Sequence, residues 1–265
     1  MTDARSEALP QKPRAWSKGT VLAHLFTVGF IAAWWGYSQI IPAYQLPGPW
    51  LVAERIVSFL SDSDELAQLA LSLAHVSIAI AAAFVFGCLL AALAHYVPPL
   101  RLLIDGRLTP FLNAFSAIGW LFLAMLWFGL DSFTVIFAVT LILIPFTIIN
   151  VRTGLQELDG ELIELGRSLS RSPFRTATKI VIPLLVPYLF AALRNSFGVS
   201  WKVVLTAELF GGSGGVGFLL NIARQQFDTE TIFAIITFIL IFVVFAEFVL
   251  FRPIQRQLDR SFGRA

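Results

Sequence analysis

Charged residues are scarce in this sequence. Asp, Glu, Lys and Arg make up 14% of its 265 residues, whereas about 25% is usual in a soluble domain. Hydrophobic residues make up 57% and include 25 Phe and seven Trp. The formal net charge of +2 conveys little by itself, and we expect membrane lipid and not nucleic acid as a partner. This composition excludes an ordinary soluble domain and indicates a protein of the lipid bilayer.

Residues that carry enzymatic chemistry are also few. The single cysteine, Cys88, cannot form an internal disulfide and is interpreted as an apolar filler. The three histidines, His24, His75 and His95, lie on different segments without metal-ligand spacing. The glycine-rich run 211–217 is not followed by the Lys-Ser/Thr pair of a phosphate-binding loop. We therefore expect no enzyme activity, no metal and no cofactor in this chain.

Six stretches are long and apolar enough to cross a membrane, which takes about 20 residues. Four of them contain no charged residue: 21–41, 66–100, 108–130 and 132–151. The fifth, 184–207, contains only Arg194 and Lys202, and the sixth, 231–251, contains only Glu247. Backbone groups in lipid must be hydrogen-bonded within the segment, so each stretch is predicted to be a helix. The expected fold is an all-α integral membrane protein with six transmembrane helices.

The distribution of basic residues predicts the orientation. Fifteen of the 19 Lys and Arg residues fall in four segments that share one side of the six spans: 1–20, 95–107, 152–183 and 252–265. Only Arg55 and Arg224 fall on the other side. By the positive-inside rule both termini are cytosolic.

The expected organisation follows from this topology. Residues 1–19 form a flexible cytosolic tail, 20–252 a six-span domain with a cytosolic loop at 154–183, and 253–265 a second cytosolic tail. A short amphipathic helix is expected from Trp50 to Leu60, before a polar break that caps the next helix.

The cytosolic loop has the pattern of a docking element. A helix beginning near Asp159 would place Glu161, Glu164 and Leu165 on one face. Pro173 interrupts the chain, and Pro183 is predicted to begin the fifth span. A short helix, a break and a return to the membrane can fit a groove in a soluble partner. An ordinary solvated connector is the alternative from charge pattern alone.

Charges inside the spans suggest a translocation pathway. Because a cation in the bilayer core is costly unless it faces a cavity or a partner, Arg194 and Lys202 are candidate lining residues. We group Ser200, Trp201 and Glu208 with them, and the basic character favours an anionic substrate. Two alternatives stay open: Arg194 pairs with Glu247, and Lys202 extends to the lipid headgroups.

The glycine run is predicted to form an outer loop or gate. Its members are Gly211, Gly212, Ser213, Gly214 and Gly215. Glycines permit backbone turns that are closed to other residues, which favours a re-entrant or scoop-like loop. A plain flexible connector is the alternative.

Several of these motifs resemble one transporter family. Glu164 and the ending Ile180-Val181-Ile182-Pro183 are similar to the Glu-Ala-Ala loop of permease subunits in ATP-binding-cassette (ABC) importers, although Leu165, Gly166 and Ser170 replace its two alanines and glycine. Leu46-Pro47-Gly48-Pro49 looks like the turn after the first span in the nitrate, sulfonate and taurine branch. In that branch an arginine commonly stands at the position of His75.

The resemblance implies a type I importer fold and a set of partners. Two permease copies would form a homodimer in the bacterial inner membrane, with the pathway at the dimer axis. A periplasmic or lipid-anchored binding protein would deliver a small anion, such as a sulfonate, taurine, nitrate or a carboxylate. Two cytosolic ATPase subunits would hold ATP and Mg and would contact the coupling residues: Glu161, Glu164, Leu165, Gly166, Arg167, Ser168, Leu169, Ser170 and Pro183. An ATP-independent secondary transporter or channel is the alternative function.

Overall fold

The computed structural model describes residues 18–158 and 173–261. Within these two ranges all regular secondary structure is helical, which confirms the predicted all-α fold. Four helices in the described ranges are long and apolar enough to cross a membrane, and a bent helix pair makes a fifth if it counts as one span. The crossing predicted at 21–41 corresponds to helix α1 (Lys18–Ser38) and stays a prediction.

The first half of the chain continues from α1 with short and long helices in alternation. Helix α2 (Pro49–Ser61) begins directly after the Pro47-Gly48 turn, as the amphipathic pattern predicts. The 34-residue helix α3 (Ser63–Tyr96) follows, and its cap is Asp62. The Asp62 carboxylate accepts hydrogen bonds from two backbone N–H groups of the first turn, at 2.8 and 3.1 Å. The polar break before the second span therefore caps the helix as expected.

The predicted third span, 108–130, is not a single helix. Its first residues belong to a continuous helical segment that begins before it and consists of α4 (Pro98–Leu103), the π-helical turn π1 (Ile104–Leu108) and α5 (Thr109–Ala114). Helix α6 (Ala117–Phe128) then continues at an angle of 87°.

The break between α5 and α6 has a local cause. Phe115 is extended, and the Ser116 hydroxyl accepts a hydrogen bond from the Gly119 N–H at 3.1 Å, which starts a new helix. A charge-free composition does not reveal this break because both arms are equally apolar.

Two further long helices follow in the second half. Helix α7 (Ser132–Glu157) leads to the residues that the structure does not describe. The chain resumes with α8 (Pro173–Thr176), π2 (Ala177–Val181) and α9 (Ile182–Gly211). The prediction that Pro183 begins the fifth span is therefore wrong, because helical turns already precede it.

The short helix α10 (Val216–Gln225) comes next. After a break at 226–228, the described residues end with a continuous helical segment that extends past the predicted sixth span and consists of α11 (Thr229–Ala246), π3 (Glu247–Phe251) and α12 (Arg252–Ser261). Much of the predicted C-terminal tail, 253–265, is thus helical up to Ser261.

Helix α7 is the centre of the bundle. In its most apolar window 56% of the residues are buried, against at most 28% in the other long helices. It packs mainly on α3 and α9. The contact with α3 is close because α3 presents a buried stripe of small residues: Ala79, Ala83, Gly87, Ala91 and Ala94. A Cβ atom on Gly87 would lie 2.5 Å from the Thr147 side chain. Small residues let membrane helices approach in this way.

Each π-helical turn lies just before a proline. Pro110, Pro183 and Pro253 each follow a π turn by two residues. The residue immediately before each proline donates its N–H to the carbonyl five positions back: Thr109 to Ile104, Ile182 to Ala177, and Arg252 to Glu247. A proline has no N–H for the carbonyl four positions back, and its ring clashes with that carbonyl. The wider turn accommodates the proline without ending the helix.

Candidate functional site

Lys202 lies on an open cavity of about 280 Å³. Helices α6, α7 and α9 supply the walls, and the lining residues are Ala117, Ile118, Leu121, Ala138, Ile142, Lys202, Val203, Thr206 and Ala207. The Lys202 side chain is exposed, and the ion pairs of the described residues include none for it. The Thr206 hydroxyl donates to the Lys202 carbonyl at 2.8 Å. The cavity therefore presents one ammonium group against a mostly apolar wall.

Ser200 and Trp201 lie on another face of the same helix. Both are buried inside the protomer, and the Ser200 hydroxyl donates to the Phe197 carbonyl at 2.9 Å. Trp201 packs edge-on against Phe242, with ring centroids 5.1 Å apart. Successive residues of an α-helix point about 100° apart, so proximity to Lys202 in the sequence does not bring these side chains to the cavity.

Arg194 pairs with Glu247, the alternative considered from the sequence. Its Nε lies 3.3 Å from Glu247 Oε2, and its Nη2 bonds Oε1 of the same carboxylate. The pair joins α9 to the π turn of the last long helix. It neutralises both charges, so Arg194 does not add a free cation to the cavity.

Glu208 is fully buried at the end of α9. Its Oε2 accepts hydrogen bonds from the Ser72 hydroxyl at 2.7 Å and from the Gly217 N–H at 2.8 Å. Its Oε1 lies 2.8 Å from His75 Nδ1. The structure thus places Glu208 inside the protomer, where it joins α3 to the glycine run, and not on the Lys202 cavity.

The glycine run is held tightly against α3 and Glu208. The Gly215 N–H donates to the Gln68 side chain at 2.6 Å, and the Val216 N–H donates to the Ser72 hydroxyl at 2.7 Å. Gly215 has φ +101°, and a Cβ there would lie 2.3 Å from the Glu208 carboxyl carbon. Glycine is required here for both the backbone angle and the close approach. We call this end of the bundle, with Gly211–Gly217, the glycine end.

Sequence reasoning missed the site that Ser72, His75 and Glu208 form together. The sequence shows no metal-ligand spacing for His75, and it groups Glu208 with the pathway residues. The sequence contained one indication of this site: an acidic residue, Glu208, near the end of a span, and two polar residues, Ser72 and His75, one turn apart on another span. A buried carboxylate needs several donors, and a helix presents residues three apart on one face.

At the opposite end, α7 leads into residues 159–172. We call it the loop end. Arg152 forms a bidentate ion pair with Asp105 of π1, in which Nη2 lies 2.7 Å from Oδ2. The Tyr188 hydroxyl bonds the Glu157 carboxylate and links α7 to α9. The predicted coupling residues Glu161, Glu164, Leu165, Gly166, Arg167, Ser168, Leu169 and Ser170 lie outside the described residues. Pro183 is exposed near the start of α9.

No group of three or more His, Cys, Asp or Glu side chains within the described residues could hold a metal ion. The site geometry therefore consists of a surface cavity with one lysine, a buried carboxylate at the glycine end and an ion pair at the loop end. All three lie in a bundle of apolar helices, several of which are long enough to cross a membrane.

Comparison with known proteins gives the family. Residues 83–264 match the family of binding-protein-dependent transport system inner membrane components. The match covers more than half of the chain, which therefore belongs to this family of permease subunits of ABC importers. The family assignment confirms the resemblance drawn from the sequence. Such subunits span the inner membrane several times and are not themselves enzymes.

Curated relatives span nearly the whole chain. A Bacillus subtilis (strain 168) protein described as an aliphatic sulfonates transport permease is 27% identical, over 96% of this chain and 92% of its own length. The taurine transport system permease protein of Escherichia coli (strain K12) is also 27% identical, over 91% and 88%. The bicarbonate transport system permease protein of Synechococcus elongatus (strain ATCC 33912 / PCC 7942 / FACHB-805) is 26% identical, over 88% of each chain.

Solved structures agree on the fold. An amino acid ABC transporter crystallised with histidines aligns with a TM-score of 0.61 at 17% identity, over 72% of this chain and 92% of that chain. An inward-facing methionine ABC transporter aligns with a TM-score of 0.61 at 16% identity, over 74% and 94%. These likenesses show the type I importer permease fold.

Proposed function

We propose that this permease works as a homodimer and moves a small anion along a pathway at the dimer axis, past Lys202. The observation that carries the proposal is the exposed ammonium group of Lys202 on an open cavity at the surface of an apolar bundle. A lysine in a bilayer is costly unless it faces water or a partner of opposite charge. A passing anion is such a partner, and each copy would contribute one lysine.

The relatives favour the same substrate class. Their names specify aliphatic sulfonates, taurine and bicarbonate, which carry an anionic group. Lys202 is the one charged residue among those that line the cavity, and its ammonium group offers an anionic group a partner of opposite charge. Family membership favours the importer over an ATP-independent secondary transporter or channel.

The proposal assigns energy supply and substrate delivery to partners. Two cytosolic ATP-binding subunits with ATP and Mg contact the loop around Glu164 to Ser170, and a periplasmic or lipid-anchored binding protein docks at the glycine end near Ser213. Both termini are cytosolic, in line with the 15 basic residues on that side. ATP binding draws the two loops together and opens the pathway outward by rocking of rigid units.

Substitution of Lys202 tests the pathway. In vesicles with the ATPase subunits and the binding protein, Lys202→Gln keeps the polarity and most of the length of the side chain but removes the charge. We expect uptake of the anion to fall about tenfold or more, which corresponds to the loss of about 1.4 kcal/mol of interaction between Lys202 and the anion. Assembly and basal ATPase activity should stay normal. Arg256→Gln, which removes an exposed cation of α12 away from the cavity, is the matched control. Equal uptake by Lys202→Gln and the parent would refute the anion pathway.

A further inference from the structure

The ion pair between Arg152 and Asp105 has a buried arginine and a partly exposed aspartate. Arg152 is only 6% exposed, although it lies near the loop end of α7. Its Nε lies 3.2 Å from both Asp105 oxygens and its Nη2 lies 2.7 Å from Oδ2. A buried guanidinium is costly without such a partner, and the two-point contact also fixes the orientation of both groups. The pair therefore holds α7 and π1 in one relative position.

The two partners of the ion pair lie on different elements, Arg152 near the end of α7 and Asp105 in π1. Arg152 precedes the undescribed residues 159–172 by about two helical turns on a continuous helix. Asp105 lies in π1, where the Thr109 N–H bonds the Ile104 carbonyl and the helix is locally widened. Displacement of the loop end of α7 would therefore act directly on the π turn.

The segment after π1 leads to the wall of the Lys202 cavity. Helix α5 is joined to α6 across the 87° break by Trp120, whose indole N–H lies 3.4 Å from the Leu112 carbonyl and whose ring packs edge-on against Phe115 at 5.0 Å. The first residues of α6, Ala117 and Ile118, line the cavity. Contacts are therefore continuous from Arg152 to the cavity.

We propose that the Arg152–Asp105 pair is a positioning contact that transmits movement of the coupling loop to α6 and so links ATP hydrolysis to the opening of the cavity. The inference rests on the proposed function, since it requires the 157–183 loop to contact the ATPases. Neither residue touches substrate. Their role is to keep the loop end of α7 and the bent α5–α6 unit moving together.

The test uses the full transporter with its ATPase subunits and binding protein in vesicles, and it measures uptake and ATP hydrolysis in the same preparation. Asp105→Asn keeps the shape but removes the charge. We expect uptake per ATP hydrolysed to fall about fivefold or more, in the range of measured couplings between sites, while the complex assembles normally. A purely structural role predicts instead that uptake and hydrolysis fall together with thermal stability.

A length exchange provides the rescue. Arg152→Lys shortens the cation and Asp105→Glu lengthens the carboxylate, so the double variant is expected to recover coupling that Arg152→Lys alone loses. Arg101→Gln is the matched control, because Arg101 is exposed and lies 3.8 Å from the same carboxylate. Parental coupling in Asp105→Asn, or loss in Arg101→Gln equal to that in Asp105→Asn, overturns the proposal.

The two levels of inference fail separately. If Glu164→Lys uncouples transport and Asp105→Asn does not, the relay is refuted and the proposed function stands. If the parental complex shows no ATP-dependent uptake of any anion held by the binding protein, the proposed function is refuted and the relay with it.

Discussion

His75 Nδ1 lies 2.8 Å from Glu208 Oε1, although the two residues are 133 positions apart in the sequence. Both side chains are almost wholly buried. With the Ser72 hydroxyl, they fix the end of α9 to α3 and hold the glycine run in one conformation. Under the proposed function, the binding protein would therefore meet a preformed surface at the glycine end.

Loss of the Glu208 carboxylate should destabilise the permease. Glu208→Gln places an amide NH2 group against donors that now bond carboxylate oxygens, and a buried donor left without an acceptor typically costs about 1–3 kcal/mol. We expect a clearly lower thermal midpoint in detergent. Glu54→Gln, at an exposed carboxylate of α2, is the control and should unfold like the parent. An unchanged midpoint for Glu208→Gln would contradict the anchoring role.

Gly215→Ala should be similarly damaging for a different reason. Alanine at φ +101° is strained, and its Cβ would overlap the Glu208 carboxyl group. These two effects together should cost about 2–4 kcal/mol. Gly29→Ala, in open space on α1, should be neutral or stabilise by about 0.5–1 kcal/mol. The measurement is the thermal unfolding midpoint of both variants. Equal midpoints for Gly215→Ala and Gly29→Ala would rule out the close packing at Gly215.

The membrane orientation can be tested by labelling. In a background where Cys88 is replaced by alanine, cysteines at Ser213 and Ser172 should react with an impermeant thiol reagent from opposite sides of the membrane. The expectation follows from the placement of 15 basic residues on the side of Ser172. Labelling of both sites from the same side would exclude the proposed topology.

The coupling loop can be tested by charge reversal. Glu164→Lys should leave the protein inserted but abolish the stimulation of ATP hydrolysis by the loaded binding protein, because a docking carboxylate becomes a repelling cation. The control is Glu54→Lys, the same reversal away from the loop. Uptake and stimulated ATPase activity at parental levels in Glu164→Lys would remove the loop from the docking surface.

The helical class could be predicted from the sequence because it depends on local composition. Long runs without charge can only be helices in lipid, and the cap at Asp62 follows from neighbouring residues. The break at Phe115 and Ser116 could not be predicted, since no proline or charge marks it. It depends on a serine cap and on the Trp120 ring packing across the bend.

The candidate site was predictable only in part. The cost of an intramembrane lysine identified Lys202, and the same reasoning offered Glu247 as the partner of Arg194. The partners of Glu208 could not be identified, because Ser72 and His75 approach it only through the packing of α3 on α9. Contacts over more than 100 residues depend on tertiary structure and leave no local pattern.

The proline-linked π turns change how sequence changes in this protein should be interpreted. Each wide turn accommodates one extra residue compared with an α-helix, and one residue corresponds to a rotation of about 100°. Residues before and after Pro110, Pro183 or Pro253 therefore cannot be assigned to a face with one continuous helical wheel. Loss of one of these prolines, with reversion of its π turn to an α-helix, would rotate everything beyond it. Such a change would alter the surface of a whole helix while altering a single residue.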